Sequence, residues 1–140
     1  MVPGKPPTVV DLRWNGDLRF TATFPPTQTP PVLLDSAGAT GPSPVSALAA
    51  SLAGCMGMDL VHILTCGRHH VNDLQARLDG ERAPSGSQRF TRIRLHFVVG
   101  GTVPAHAIER AITLSRDKYC SVWHSLSPDL DLQVTFEQCA

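Results

Sequence analysis

The sequence has 140 residues, enough for a single domain with a real core. Its 42% hydrophobic and 17% charged residues make a globular composition, in which twelve prolines and eleven glycines punctuate apolar runs instead of marking disorder. Twelve basic and twelve acidic side chains cancel, which removes the basic excess that a nucleic-acid binder uses to neutralise phosphates.

Met1–Pro7 carries one lysine and three prolines and is followed by no apolar h-region, so no export signal is expected and the expected location is the cytoplasm. In that reducing compartment the four cysteines, at positions 55, 66, 120 and 139, are either small hydrophobes or working thiols, not static staples. None forms a C-x-x-C pair, which leaves a zinc knuckle with little support.

In chain order, Thr8–Trp14 and Leu18–Phe24 flank Asn15-Gly16-Asp17, and Asn-Gly supplies the positive φ angles of a tight hairpin turn. The proline-rich Pro25–Pro31 leads to a third short strand, Val32–Leu34, and Ser36–Pro44 reads as a loop. A helix starts there: Ser43 suits the N-cap and Pro44 the first helical position, where its missing N–H costs nothing. It runs to about Cys66, with Gly67 placed to stop it. Val45–Leu64 has about the length of a membrane span. Its Ser46, Ser51, Asp59 and His62, and its alanine- and glycine-rich make-up, instead predict a core helix buried on most sides, with no membrane insertion. Its small residues, Gly54 and Gly57 among them, predict close approach of another backbone.

Asp73–Gly80 alternates Leu74, Ala76 and Leu78 as a strand. In Phe90–Val99, Ile93, Leu95, Phe97 and Val99 share one face, while Arg92, Arg94 and His96 share the other, the mark of a half-buried antiparallel strand. Gly100-Gly101 is expected to break it. Pro104 opens a second helix, with Ile108, Ala111, Ile112, Ser115 and Tyr119 at helical period and Cys120 at or just past its end. Leu130–Glu137 is a last strand. This order predicts one α+β domain, 1–140, with largely antiparallel sheets.

On the first helix Ser51, Cys55, Asp59 and His62 share one face, a polar stripe that needs partners. His62 is no base for Cys55, since seven residues of helix rise roughly 10 Å. Asp59, one turn from Cys55, opposes thiolate formation when ionised. From these residues alone, Cys55 is either a core filler or a reactive thiol. Cys66 and Cys139 have no motif, His69-His70 reads as surface, and Trp123 and His124 either pack an interface or line a substrate pocket.

The segment GPSPVSALAASLAGCMGMDLVHIL, Gly41–Leu64, resembles the first cysteine motif of the OsmC/Ohr family, and ERAITLSRDKYCSV, Glu109–Val122, resembles its second. The strands between them and the amino-terminal hairpin also resemble the family, over about Leu12 to Glu137. The resemblance implies an OsmC-like fold, antiparallel sheets around two central helices in an intertwined homodimer, with the sites near the interface. It implies a two-cysteine peroxidase. Cys55 would attack an organic hydroperoxide, Cys120 would resolve the sulfenate as a disulfide, and an external dithiol would reduce that disulfide, with no metal and no cofactor. It also implies an activating arginine near the hairpin, for which Arg13 and Arg19 are candidates and Arg19 is preferred. The organic hydroperoxide resistance branch holds that arginine with a glutamate at the start of the cysteine helix. Here Val45 and Ser46 stand in that stretch, which places the chain nearer the broader OsmC-like branch and leaves the clamp either rebuilt from other residues, such as Asp59 or Glu81, or absent. The alternatives are a non-catalytic redox sensor or small-molecule-binding protein on the same scaffold, and a metal-binding protein using the scattered cysteines and histidines.

Overall fold

A computed structural model describes residues 4–139, so the first three residues of the Met1–Pro7 segment lie outside the described residues. The chain forms two compact units, Met1–Leu48 and Ala49–Ala140. The first holds an antiparallel sheet in the order β1 (Asp11–Trp14), β2 (Arg19–Thr23), β3 (Val32–Asp35). Its hairpin turn is longer than the predicted Asn-Gly turn. Gly16 (φ 94°) and Asp17 (φ 47°) take the left-handed region, and the Asn15 N–H donates to the Arg19 carbonyl at 2.9 Å. Asp17 is one of the few residue types that tolerates this backbone, and its carbonyl accepts from Trp14 Nε1 at 2.8 Å. After β3, the Asp35 carboxylate gathers the following loop by accepting from the Ala37 N–H, the Thr40 N–H and the Thr40 hydroxyl at 2.8–3.0 Å.

Helix α1 spans Pro44–Cys66, and Ser43 caps it as expected, its hydroxyl accepting from the Ser46 N–H at 3.2 Å. The helix ends at Cys66 as expected, with one difference just beyond it. Arg68, not Gly67, takes the left-handed position (φ 63°), while the His69 N–H reaches the Leu64 carbonyl and the Arg68 N–H the Thr65 carbonyl. Within the single chain only the stripe Leu52, Met56, Leu60 and Leu64 is buried among its described residues, short of the burial on most sides expected of this helix, and Met58 is 75% exposed. Within the single chain a Cβ on Gly54 would meet nothing within 4 Å, and one on Gly57 would meet only the Leu74 and Phe97 side chains at 3.9 Å. The helix is long and apolar enough to cross a membrane by length and composition, but its buried stripe belongs to the protein core.

The second unit carries the sheet β4 (His70–Arg82), β5 (Phe90–Thr102) and β6 (Asp131–Cys139). On β5, Ile93, Leu95, Phe97 and Val99 are almost wholly buried, as the alternation predicts. Each such side chain contributes roughly 1.5–3 kcal/mol on leaving water. They form one core with the α1 stripe and with Ile108, Ala111 and Ile112 of α2 (Ala105–Leu114). Arg92, Arg94 and His96 occupy the outer face, where Arg92 meets Asp131 at 2.9 Å, Arg94 meets Glu81 at 3.6 Å and His96 meets Glu137 at 3.1 Å.

Among the described residues, three of the four strand pairs are antiparallel, in line with the largely antiparallel sheets expected, but β5 and β6 are parallel. A parallel pair needs a long crossover, and residues 103–130 supply it with their helices. Gly100-Gly101 does not end β5, because the strand runs on to Thr102. Opposite these glycines β4 carries a bulge, with Val71 pairing Gly101 and Asp73 pairing Gly100, so Asn72 is the extra residue. Gly101 lies at φ 114°, and a Cβ there would run into the His70 carbonyl oxygen.

Candidate active site

Cys55 sits half-buried in the middle of α1, between the core residues Leu52 and Met56. Cys120 reaches the same place from the segment after α2. The chain after α2 does not stop but widens into a π-helical turn, Ser115–Tyr119, closed by the Cys120 N–H donating to the Ser115 carbonyl at 2.8 Å. Cys120 then caps the short helix α3 (Ser121–His124), its Sγ accepting from the Trp123 N–H at 3.3 Å. The two sulfurs and a carboxylate oxygen of Asp59 all lie within 4.8 Å of one another. A disulfide needs about 2.05 Å between sulfurs, so the two thiols of the reduced chain are already neighbours.

Asp59 is held in this cluster by Ser115, whose hydroxyl donates to Asp59 Oδ2 at 2.7 Å. Ser115 is fully buried, and it anchors Cys120 through its carbonyl and Asp59 through its side chain. Sequence reasoning singled out Asp59 as part of the polar stripe but read Ser115 only as a helical spacing residue. Its signal is a buried polar residue on an otherwise apolar helix face, five residues before a cysteine.

The two thiols differ in access and in proton affinity. Cys120 is 0% exposed, and burial pushes its thiol up to about 11, opposed by the Trp123 N–H and reinforced by the Cys55 thiol and the charge of Asp59. It is therefore protonated near neutral pH. Cys55 is only partly buried.

Arg19 lies on β2 of the first unit, its guanidinium 3.3 Å from Asp17 and its Nε buried without a hydrogen-bond partner. Arg13 is exposed on β1. Glu81, one carboxylate considered for a rebuilt clamp, is engaged by Arg92 at 3.7 Å and Arg94 at 3.6 Å. His62 stands beside the exposed Cys66, with Nε2 3.8 Å from its Sγ. Cys139 is exposed near the end of β6. Trp123 is half-buried against the core, with the Arg116 guanidinium 5.8 Å above its ring, and His124 Nε2 lies 2.9 Å from the Arg116 carbonyl.

A family model described as OsmC-like protein matches residues 36–135. The chain is 36% identical over 111 residues to Protein YhfA of Escherichia coli K12, covering 78% of this chain and 83% of that protein. Among solved structures, a hypothetical protein from Aquifex aeolicus VF5 is similar with a TM-score of 0.87 at 28% identity, over 96% of this chain and 98% of that one. The organic hydroperoxide resistance protein OhrB of Bacillus subtilis shares the fold more loosely, with a TM-score of 0.61 at 17% identity over 94% and 98% of the two chains.

Proposed function

Since the chain belongs to the OsmC-like protein family, nearer the OsmC-like branch than the organic hydroperoxide resistance branch, we propose that it is a thiol-dependent peroxidase of organic hydroperoxides. The observation that carries this reading is the meeting of Cys55 and Cys120, 65 residues apart in sequence, with their sulfurs within 4.8 Å. In the reaction Cys55, as thiolate, attacks one oxygen of the O–O bond and becomes a sulfenic acid, while the other oxygen leaves with a proton as the alcohol. The Cys120 thiol then attacks the Cys55 sulfur, hydroxide leaves from that sulfur, and the thiol proton goes with it as water. The resulting disulfide is reduced by an external dithiol.

The order of roles follows from access: a peroxide reaches the half-buried Cys55 before the fully buried, protonated Cys120. The name of the fold relative OhrB points to the same substrate class. Arg19 is assigned to activation of Cys55 on the family resemblance. A second copy of the chain covers the apolar surface left open on α1.

Hydroperoxide consumption with a dithiol tests the reading, using cumene hydroperoxide and the full chain. Cys55→Ser abolishes turnover, Cys120→Ser accumulates a sulfenate that dimedone traps, and Arg19→Ala slows the attack without changing the resolution step. A wild-type chain that forms the disulfide yet turns over no hydroperoxide with any dithiol overturns the peroxidase and leaves a redox sensor.

A further inference from the structure

We propose that the reduced cysteine pair and Asp59 together form a site for a zinc-class divalent cation. Cys55 Sγ, Cys120 Sγ and an Asp59 oxygen lie within 4.8 Å of one another. A tetrahedral zinc ion, with bonds of about 2.3 Å to sulfur and 2.0–2.2 Å to oxygen, sets its ligand atoms roughly 3.5–3.8 Å apart. Side-chain adjustments of about 1 Å or less therefore bring the three donors to one centre. Two thiolates favour zinc over magnesium or calcium, and the carboxylate completes a three-ligand set with the fourth position open to water.

The support that ligands need is also present. Ser115 donates to Asp59 at 2.7 Å and the Trp123 N–H donates to Cys120 Sγ at 3.3 Å, so both ligands are oriented from outside the cluster. Among the described residues of this unit, no basic side chain forms an ion pair with Asp59. Three groups able to carry negative charge thus converge, one fully buried and two partly buried, with no ion-paired cation among the described residues of this unit, and a divalent ion supplies one.

Cation binding itself does not require peroxidase activity, but its release does rest on the proposed chemistry. Both thiolates are consumed when the disulfide forms. Two thiolates, one organic hydroperoxide and two protons give the disulfide, an alcohol and water, and the cation leaves because its sulfur ligands are gone. The hydroperoxide takes up both electrons. The ion holds the pair reduced and closed to peroxide, so its availability sets how much of the protein is competent to react.

The test uses the full chain, reduced with a phosphine and freed of metal, titrated with Cd²⁺ while the thiolate-to-cadmium charge-transfer band is followed, then with Zn²⁺ as competitor. About one ion per chain is expected, displaced by Zn²⁺. Cys55→Ser and Cys120→Ser each weaken binding at least about tenfold, and Asp59→Asn about tenfold. Cys66→Ser/Cys139→Ser leaves it unchanged. Wild type oxidised to the disulfide with diamide shows no site, a control that needs no variant to fold. The proposal falls if no band appears, if the band survives loss of both Cys55 and Cys120, or if it follows the exposed Cys66 and Cys139. Hydroperoxide turnover of the metal-free chain is measured separately, so failure of the peroxidase and failure of the cation site are told apart.

Discussion

Ser115 joins two parts of the candidate site: its carbonyl closes the turn that delivers Cys120, and its hydroxyl fixes Asp59. Ser115→Ala leaves the backbone bond in place and strips the carboxylate of its donor. The expected cost is about 1–3 kcal/mol by urea unfolding of the reduced chain, the usual range for orphaning a partly buried acceptor. A Ser115→Thr variant that keeps the hydroxyl should recover most of it, and no loss in Ser115→Ala would show that the bond contributes nothing net. Asp35 offers a second test at this scale. Its carboxyl is held below the usual range by the Thr40 hydroxyl first, then by the Thr40 and Ala37 N–H groups. A group whose folded-state pKa is depressed stabilises the fold above its unfolded value of 3.8 and loses that contribution as pH falls through the folded value. Asp35→Asn should therefore flatten the decline of melting temperature below about pH 4, and a variant declining as steeply as wild type would contradict the assignment.

The elements show how far local pattern carries. Alternation along Phe90–Val99 sorted buried from exposed side chains correctly because a strand facing one core repeats every two residues, whatever its neighbours. Ser43-Pro44 marked the start of α1 because both residues act on their own helix end. The misses came either from a neighbour outside the window or from a local departure from regular geometry. Gly100-Gly101 reads as a break, yet the pair exists to let β5 pass a bulge in β4, which no window on β5 reveals. The π-helical turn is hidden for a different reason: a strict 3.6-residue period puts Tyr119 on the buried face, whereas the wider turn leaves it 49% exposed and turns Cys120 into the core. Gly101→Ala tests the bulge. At φ 114°, with the His70 carbonyl in the way, alanine should cost well over about 1 kcal/mol. Alanine at Gly54, where a Cβ meets nothing within 4 Å, should be neutral or slightly stabilising to the single chain.

At the scale of the whole molecule, the meeting of Cys55 with Cys120 was legible only through family resemblance, since no periodicity connects residues on separate helices. The parallel β5–β6 pair was missed because the intervening helices, not the strands themselves, decide strand direction. What the single chain leaves open is informative too. On α1, Met58 is 75% exposed and Val61 42%, beside Gly54 and Gly57 on the same groove. In the amino-terminal sheet Leu12, Trp14 and Phe20, with Leu18 of its hairpin turn, are 40–70% exposed, and a three-stranded sheet gains little stability without a covered apolar face. A soluble monomer seldom displays this much apolar surface on two elements. The proposed second copy accounts for it, and the helix groove gives the sharper test because small residues flank one large side chain. Sedimentation of the reduced chain at micromolar concentration should give a dimer. Met58→Lys sets a charge where the partner's apolar surface packs, so it should shift the protein toward monomer by at least about tenfold in dissociation constant, because an unpaired charge is costly to bury. A wild-type chain that sediments as a monomer would remove the second copy, and the exposed stripe on α1 would then call for a different partner.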